Sequence, residues 1–205
     1  MAHSLLNPRV AVVAAFGCGI LAIGACSPRP GPAPPAASAI VAAPATGLVL
    51  AETEGEHRTR RPRPGGQRDT NTPVIIKVDG ANGGSSQLFM GYEDIPVGES
   101  IQRHYHPHAD EIVFIHRGRG VALLDDRPTD VEAGTTIYIP HGTRVELSNT
   151  GSEPISIAFV FADPTMSSWF RDGTVPEGQP APAMTAADVA ARRERHREHI
   201  VIEPR

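Results

Sequence analysis

The stretch from Gly98 to Gly118, GESIQRHYHPHADEIVFIHRG, constrains this chain more than any other. It carries four of the nine histidines, a density that composition does not account for, and His141 follows soon after. His104 and His106 stand two apart, so on a strand both project to one face. Residues 107–110 (PHAD) read as a turn, and the apolar run 112–115 after Glu111 reads as the returning strand. The pattern predicts a hairpin that carries two imidazoles and one carboxylate to one place. Two neutral nitrogens and one charged oxygen suit a divalent transition metal, and this donor set with open positions is a known catalytic arrangement.

The spacing has a second half. Gly98, five residues, His104-x-His106, four residues, Glu111, six residues and Gly118 are followed by Gly134, five residues, Pro140-x-Gly142, two residues, position 145, three residues and Asn149. The two runs resemble the paired signature motifs of the cupin superfamily, in the right order and without a gap in the first. One position departs: where cupins usually place a further histidine ligand, this chain has Val145. The resemblance covers residues 73–165. It implies an all-β fold, a double-stranded β-helix or jelly-roll barrel with its metal inside, and a ligand set of His104, His106 and Glu111.

The rest of the chain divides by composition. Residues 1–25 read as an export signal: Arg9 supplies positive charge ahead of an uncharged apolar run at 10–25. Ile23-Gly24-Ala25-Cys26 resembles the lipobox of bacterial lipoproteins, which implies acylation of Cys26 and a membrane anchor. Ser27, rather than the Asp that favours retention, points to the outer membrane with the domain facing the periplasm. Residues 26–72 read as a linker, Pro/Ala-rich and then basic. Residues 48–51 offer one further short strand. Both cysteines, Cys18 and Cys26, precede the expected barrel, which therefore has no disulfide and no thiolate ligand. A net charge of −4 gives no reason to expect nucleic acid.

From residue 73 the pattern is of short strands: 74–78, 87–92, 101–106, 111–116, 121–124, 135–139, 144–147 and 155–161, punctuated by Gly, Pro and Asn turns. Residues 166–205 read as a tail. Within it, residues 167–170 are expected to pack aromatics on the barrel, and Thr185-x-x-Asp188 resembles a capping box opening a helix over about 185–199. His196 and His199, three apart, are expected on its solvated face.

Parity populates the pocket. Gln102 shares the face of His104 and His106, Val113 and Ile115 share that of Glu111, and Val145 and Leu147 fall together. The expected cavity is apolar, with one amide and three ligands, as suits a small-molecule site. Tyr92, Gln87 and Tyr138 have no fixed parity relative to it. His108 and His141 lie in turns beside the motifs, where each either substitutes for the missing ligand, shuttles a proton, or is simply exposed.

Three protein ligands leave positions where an enediol, catechol or diketone-like substrate can chelate. Iron, manganese, zinc, nickel and copper are not distinguished by these residues. The first reading is a metal-dependent oxygenase, since the resemblance is to small single-domain cupins that include quercetin-type dioxygenases. The alternatives are a tethered metal- or ligand-binding protein without turnover, and a metal-dependent isomerase or epimerase. The partners expected are a small molecule, the membrane through Cys26 and a second copy of the chain at exposed sheet edges.

Overall fold

The computed structural model describes residues 47–64, 73–82 and 84–204. The export segment, Cys26 and the Pro/Ala-rich part of the linker lie outside the described residues. The strands are β1 (Glu56–Arg60), β2 (Val74–Val78), β3 (Phe89–Ile95), β4 (Ser100–Tyr105), β5 (Glu111–Arg117), β6 (Arg119–Leu124), β7 (Arg127–Glu132), β8 (Thr136–Ile139), β9 (Val145–Asn149) and β10 (Ile155–Phe161). There follow α1 (Ser167–Asp172), β11 (Thr174–Pro176), α2 (Ala186–Arg195) and β12 (Val201–Ile202). The described residues form two antiparallel sheets, ordered β11-β1-β2-β3-β10-β5-β8 and β12-β4-β9-β6-β7. Side chains from both sheets meet in one apolar core, the jelly-roll barrel expected from the motifs.

The strand chemistry is plain along β5. Glu111, Val113 and Ile115 are buried while Ile112 and Phe114 are exposed, the period-two pattern of a sheet with one face in the core. β10 lies between β3 and β5, with Ile155, Ile157, Phe159 and Phe161 turned into the barrel. Phe89 sits at the centre of an aromatic cluster with Phe159, Phe161 and Phe170, ring centroids 5.1–6.0 Å apart.

The motif glycines mark turns. Gly98, Gly118, Gly134 and Gly142 all have φ between 75° and 93°, a region that L side chains avoid. At Gly118 the turn is also tight: a Cβ there would stand 2.5 Å from the Pro154 carbonyl oxygen. Asn149, the last motif residue, holds backbone together. Its amide nitrogen donates to the carbonyls of Ile95 and Glu153, both at 2.8 Å.

Four expectations need correction. The motif strands β4 and β5 are not a hairpin: β4 pairs with β9 and β12, β5 with β10 and β8. The 107–110 segment crosses from one sheet to the other, so the histidines and Glu111 come from opposite walls. The basic part of the linker is not all tether, because Glu56–Arg60 is a strand between β2 and β11. Its inward charge is held by partners: Arg58 donates to Thr174 Oγ1, and Arg171 bridges Glu56 and Asp79. Residues 48–51 form no strand; Lys77 instead takes the carbonyls of Ala51, Glu52 and Glu54. Finally, 166–205 is no tail. It supplies β11 to one sheet and β12 to the other. The expected helix is present with its Thr185–Asp188 capping box, but ends at Arg195, four residues short of the reading.

Two outcomes follow. Gly118→Ala should cost more than about 2 kcal/mol in chemical denaturation, from left-handed strain plus the carbonyl overlap. Arg171 also sets an acid limb. Its hydrogen bond first, opposed by burial, holds Glu56 below its ordinary 4.5. At Asp79 burial works the other way, but Arg171 and the Asn82 amide outweigh it and keep the carboxyl below 3.8. Both folded-state values are depressed, so their stabilisation is complete above those ordinary values and lost as pH falls through the folded ones. Arg171→Met should flatten this loss in melting temperatures measured from pH 6 to 2.

Candidate metal centre

His104 lies on β4 and His106 one residue beyond its end, while Glu111 opens β5 on the facing wall. All three are buried, and one ligand atom from each falls within 4.8 Å of the others. The imidazoles meet edge to face at 5.0 Å, and His106 Nε2 stands 3.4 Å from Glu111 Oε2. Both rings are aimed by backbone. His104 Nδ1 contacts the Gln102 carbonyl at 2.7 Å and His106 Nδ1 the His199 carbonyl at 2.8 Å. A carbonyl only accepts, so Nδ1 carries the proton and Nε2 of each neutral ring is the lone-pair nitrogen. This is how a metal-binding histidine is ordinarily oriented.

One atom tests the fit directly. His106 Nε2 is buried and has no hydrogen-bond partner among the described residues. A lone pair and a carboxylate facing each other without a positive charge between them are expensive to bury. A divalent cation answers both, and the donors present fit one.

The cluster opens on a cavity of about 100 Å³. Gln102, Val113, Val145 and Leu147 line it as parity predicts. Ile115 does not; it is fully buried in the core. Ile101 joins Gln102 on the wall because an irregularity between Ile101 and His104 breaks the β4 alternation. Val145 pairs in register with His104 and is buried, so the position of the missing ligand is at the site, filled by an isopropyl group.

His108 and His141 do not join the cluster. Their side chains are 71% and 67% exposed, His108 facing Glu198 and His141 facing Asp110. The Asp110 carboxylate accepts from the His141 backbone N–H, the His141 ring and the Tyr138 hydroxyl, which in that order hold its pKa down to about 2. Tyr138 is thus on the outside, as is Tyr92, whose ring meets Lys77; Gln87 is exposed. His196 and His199 are not on a solvated helix face. They follow α2 and pair with Asp172 and Asp163, at 3.0 and 2.9 Å. The sequence reading also missed Arg60, Arg63, Glu93 and Arg192 in the cavity wall, since the three arginines come from segments taken for linker and tail.

Residues 91–161 match the family model described as Cupin domain. The chain is 34% identical over 76 residues to protein SchB of Streptomyces halstedii, 37% of this chain and 55% of that one. It is 34% identical over 104 residues to polyketide synthase CurC of Streptomyces cyaneus, 51% of this chain and 63% of that one. The chain spans 50–63% of the length of the curated relatives it matches. A solved structure, the polyketide cyclase RemF from Streptomyces resistomycificus, aligns with a TM-score of 0.47 at 18% identity, covering 57% of this chain and 79% of that one.

Metal binding to this site should be visible as stability. At a hundred-fold excess over its dissociation constant, an ion bound only by the folded state adds about 2.7 kcal/mol. Manganese, iron(II) or zinc added to metal-stripped protein should raise the melting temperature. His104→Ala or Glu111→Ala should abolish the rise, while His108→Ala and His141→Ala should leave it intact.

Proposed function

We propose that the protein is a metal-dependent enzyme, an oxygenase acting on a small substrate with adjacent or diketone-type oxygens. The observation that supports this is the pairing of an unanswered His106 Nε2 with buried Glu111 at the edge of an apolar cavity. In this reading His104 and His106 offer their Nε2 atoms and Glu111 its charge. The Gln102 and His199 carbonyls keep the rings from turning. A divalent transition metal held there supplies a positive charge for an enolate and, if redox-active, one-electron chemistry.

The chain's own residues do the rest. Val113, Ile137, Val145, Leu147, Ile157 and Phe161 exclude water from the cluster, which strengthens every electrostatic contact inside. Val145 leaves the cluster with three donors and an apolar neighbour, which supports direct contact between substrate and ion. The relative named as a polyketide synthase favours a diketone-like substrate, and also a second reading: oxygen-independent ring closure on such a compound. The place proposed for this activity is the cell envelope, anchored at Cys26, a reading supported by the Ile23–Cys26 motif alone.

Oxygen uptake by iron(II)- or manganese-loaded protein, measured over a panel of 1,3-diketones, catechols and flavonols, tests the first reading. Uptake with at least one class, reduced about a hundred-fold or more by Glu111→Ala, is expected. Conversion that proceeds equally without oxygen would replace oxygenation with cyclisation. A tightly held ligand that no metal converts would make the protein a binder. Cys26→Ser should move the protein from the membrane to the soluble fraction.

A further inference from the structure

The cavity beside the cluster has a cationic wall as well as an apolar one. Arg60, Arg63 and Arg192 all line it, with Glu93 paired to Arg60. Arg192 is the notable member, more than nine-tenths buried on α2. Its guanidinium lies against the Trp169 ring, Cζ 3.3 Å from the centroid, and donates through Nη2 to the Trp169 carbonyl at 2.6 Å. The opposite side is open to it because residue 173 is glycine: a Cβ there would stand 2.5 Å from Cζ. The side chain is thus clamped between an indole and bare backbone, not left to wander in solvent.

That clamp leaves a buried donor over. Arg192 Nε is buried without a hydrogen-bond partner among the described residues. The charges near it do not compensate. Burial first, then Arg63, with Arg60 and Arg195 adding to them, bring its pKa down to about 9 against the single opposing pull of Asp172. Asp172 is itself engaged by Arg195 and His196. A desolvated cation with an unanswered N–H is costly, and an incoming anion relieves both costs together.

We infer that this wall is a carboxylate subsite: Arg192 Nε, with Arg63 beside it, receives the anionic group of the small molecule that occupies the cavity. The substrate class is then an organic carboxylate with a planar, largely apolar body. Phe159, Phe161, Phe170 and Met166 line the same cavity, and Phe161 packs on His106 at 4.7 Å, so an aromatic body lies along aromatic walls. A planar guanidinium edge matches a planar carboxylate. The substrate class rests on the proposed function; the anion subsite itself does not need the metal.

Trp169 is the chain's only tryptophan, so its emission reports on the clamp. The test is a fluorescence titration of the metal-stripped full chain with benzoate and with its neutral isostere benzamide. Saturable change with benzoate is expected at a concentration about 30-fold or more below that for benzamide, and Arg192→Gln should weaken benzoate by a similar factor. Arg192→Lys, which keeps the charge, should retain part of the affinity and decides the matter if Arg192→Gln does not fold. Benzoate binding by the native chain, alongside no metal-induced rise in that chain's melting temperature, would sink the metal reading and leave this one standing. Equal midpoints for benzoate and benzamide would overturn the subsite and leave Arg192 a structural strut. So would an Arg192→Lys variant that binds both probes as the native chain does.

Discussion

The architecture turns on a single confrontation: a buried carboxylate on one sheet facing two buried imidazoles on the other. Glu111 is only 6% exposed, and its oxygen lies 3.4 Å from the buried Nε2 of His106. A lone pair facing a carboxylate is costly to bury, and positive charge between them removes that cost. Everything nearby serves to keep them apart and aimed. The sheets set the separation, the backbone carbonyls of Gln102 and His199 set the ring orientation, and the phenylalanine cluster packs against His106 through Phe161.

Much of this was legible. The motif spacing placed the glycines where the backbone needs positive φ, and period-two parity put Gln102, Val113, Val145 and Leu147 on the cavity. What parity cannot supply is the identity of the neighbouring strand. Two strands joined by a four-residue turn look like a hairpin in sequence, yet here the turn spans the gap between sheets. Nor does alternation survive an irregular register, which is why Ile101 and Gln102 both reach the cavity.

The larger omission was β1 and the C-terminal segment, and the reason is chemical. Strand signals are apolar signals, but β1 reads Glu-His-Arg-Thr-Arg and is held by the Glu56–Arg171 ion pair and the Arg58–Thr174 hydrogen bond, with partners more than a hundred residues away. β12 is two residues long, too short for any pattern. Yet these pieces shape the site. His199 orients His106, Ile200 and Ile202 line the cavity, and α1 and α2 bring Trp169, Phe170 and Arg192 to its wall. The two cupin-like motifs supply the donors, and the segments outside them decide what else the cavity contains.

X-ray absorption at the metal edge of the loaded full chain tests the central claim most directly, because it reads the donors themselves. Two imidazole nitrogens together with carboxylate and light oxygen scatterers at about 2.0–2.2 Å are expected, with imidazole scattering reduced by His104→Ala. An ion coordinated by oxygen alone, or by histidines whose signal persists when His104, His106 and Glu111 are all removed, would contradict the account.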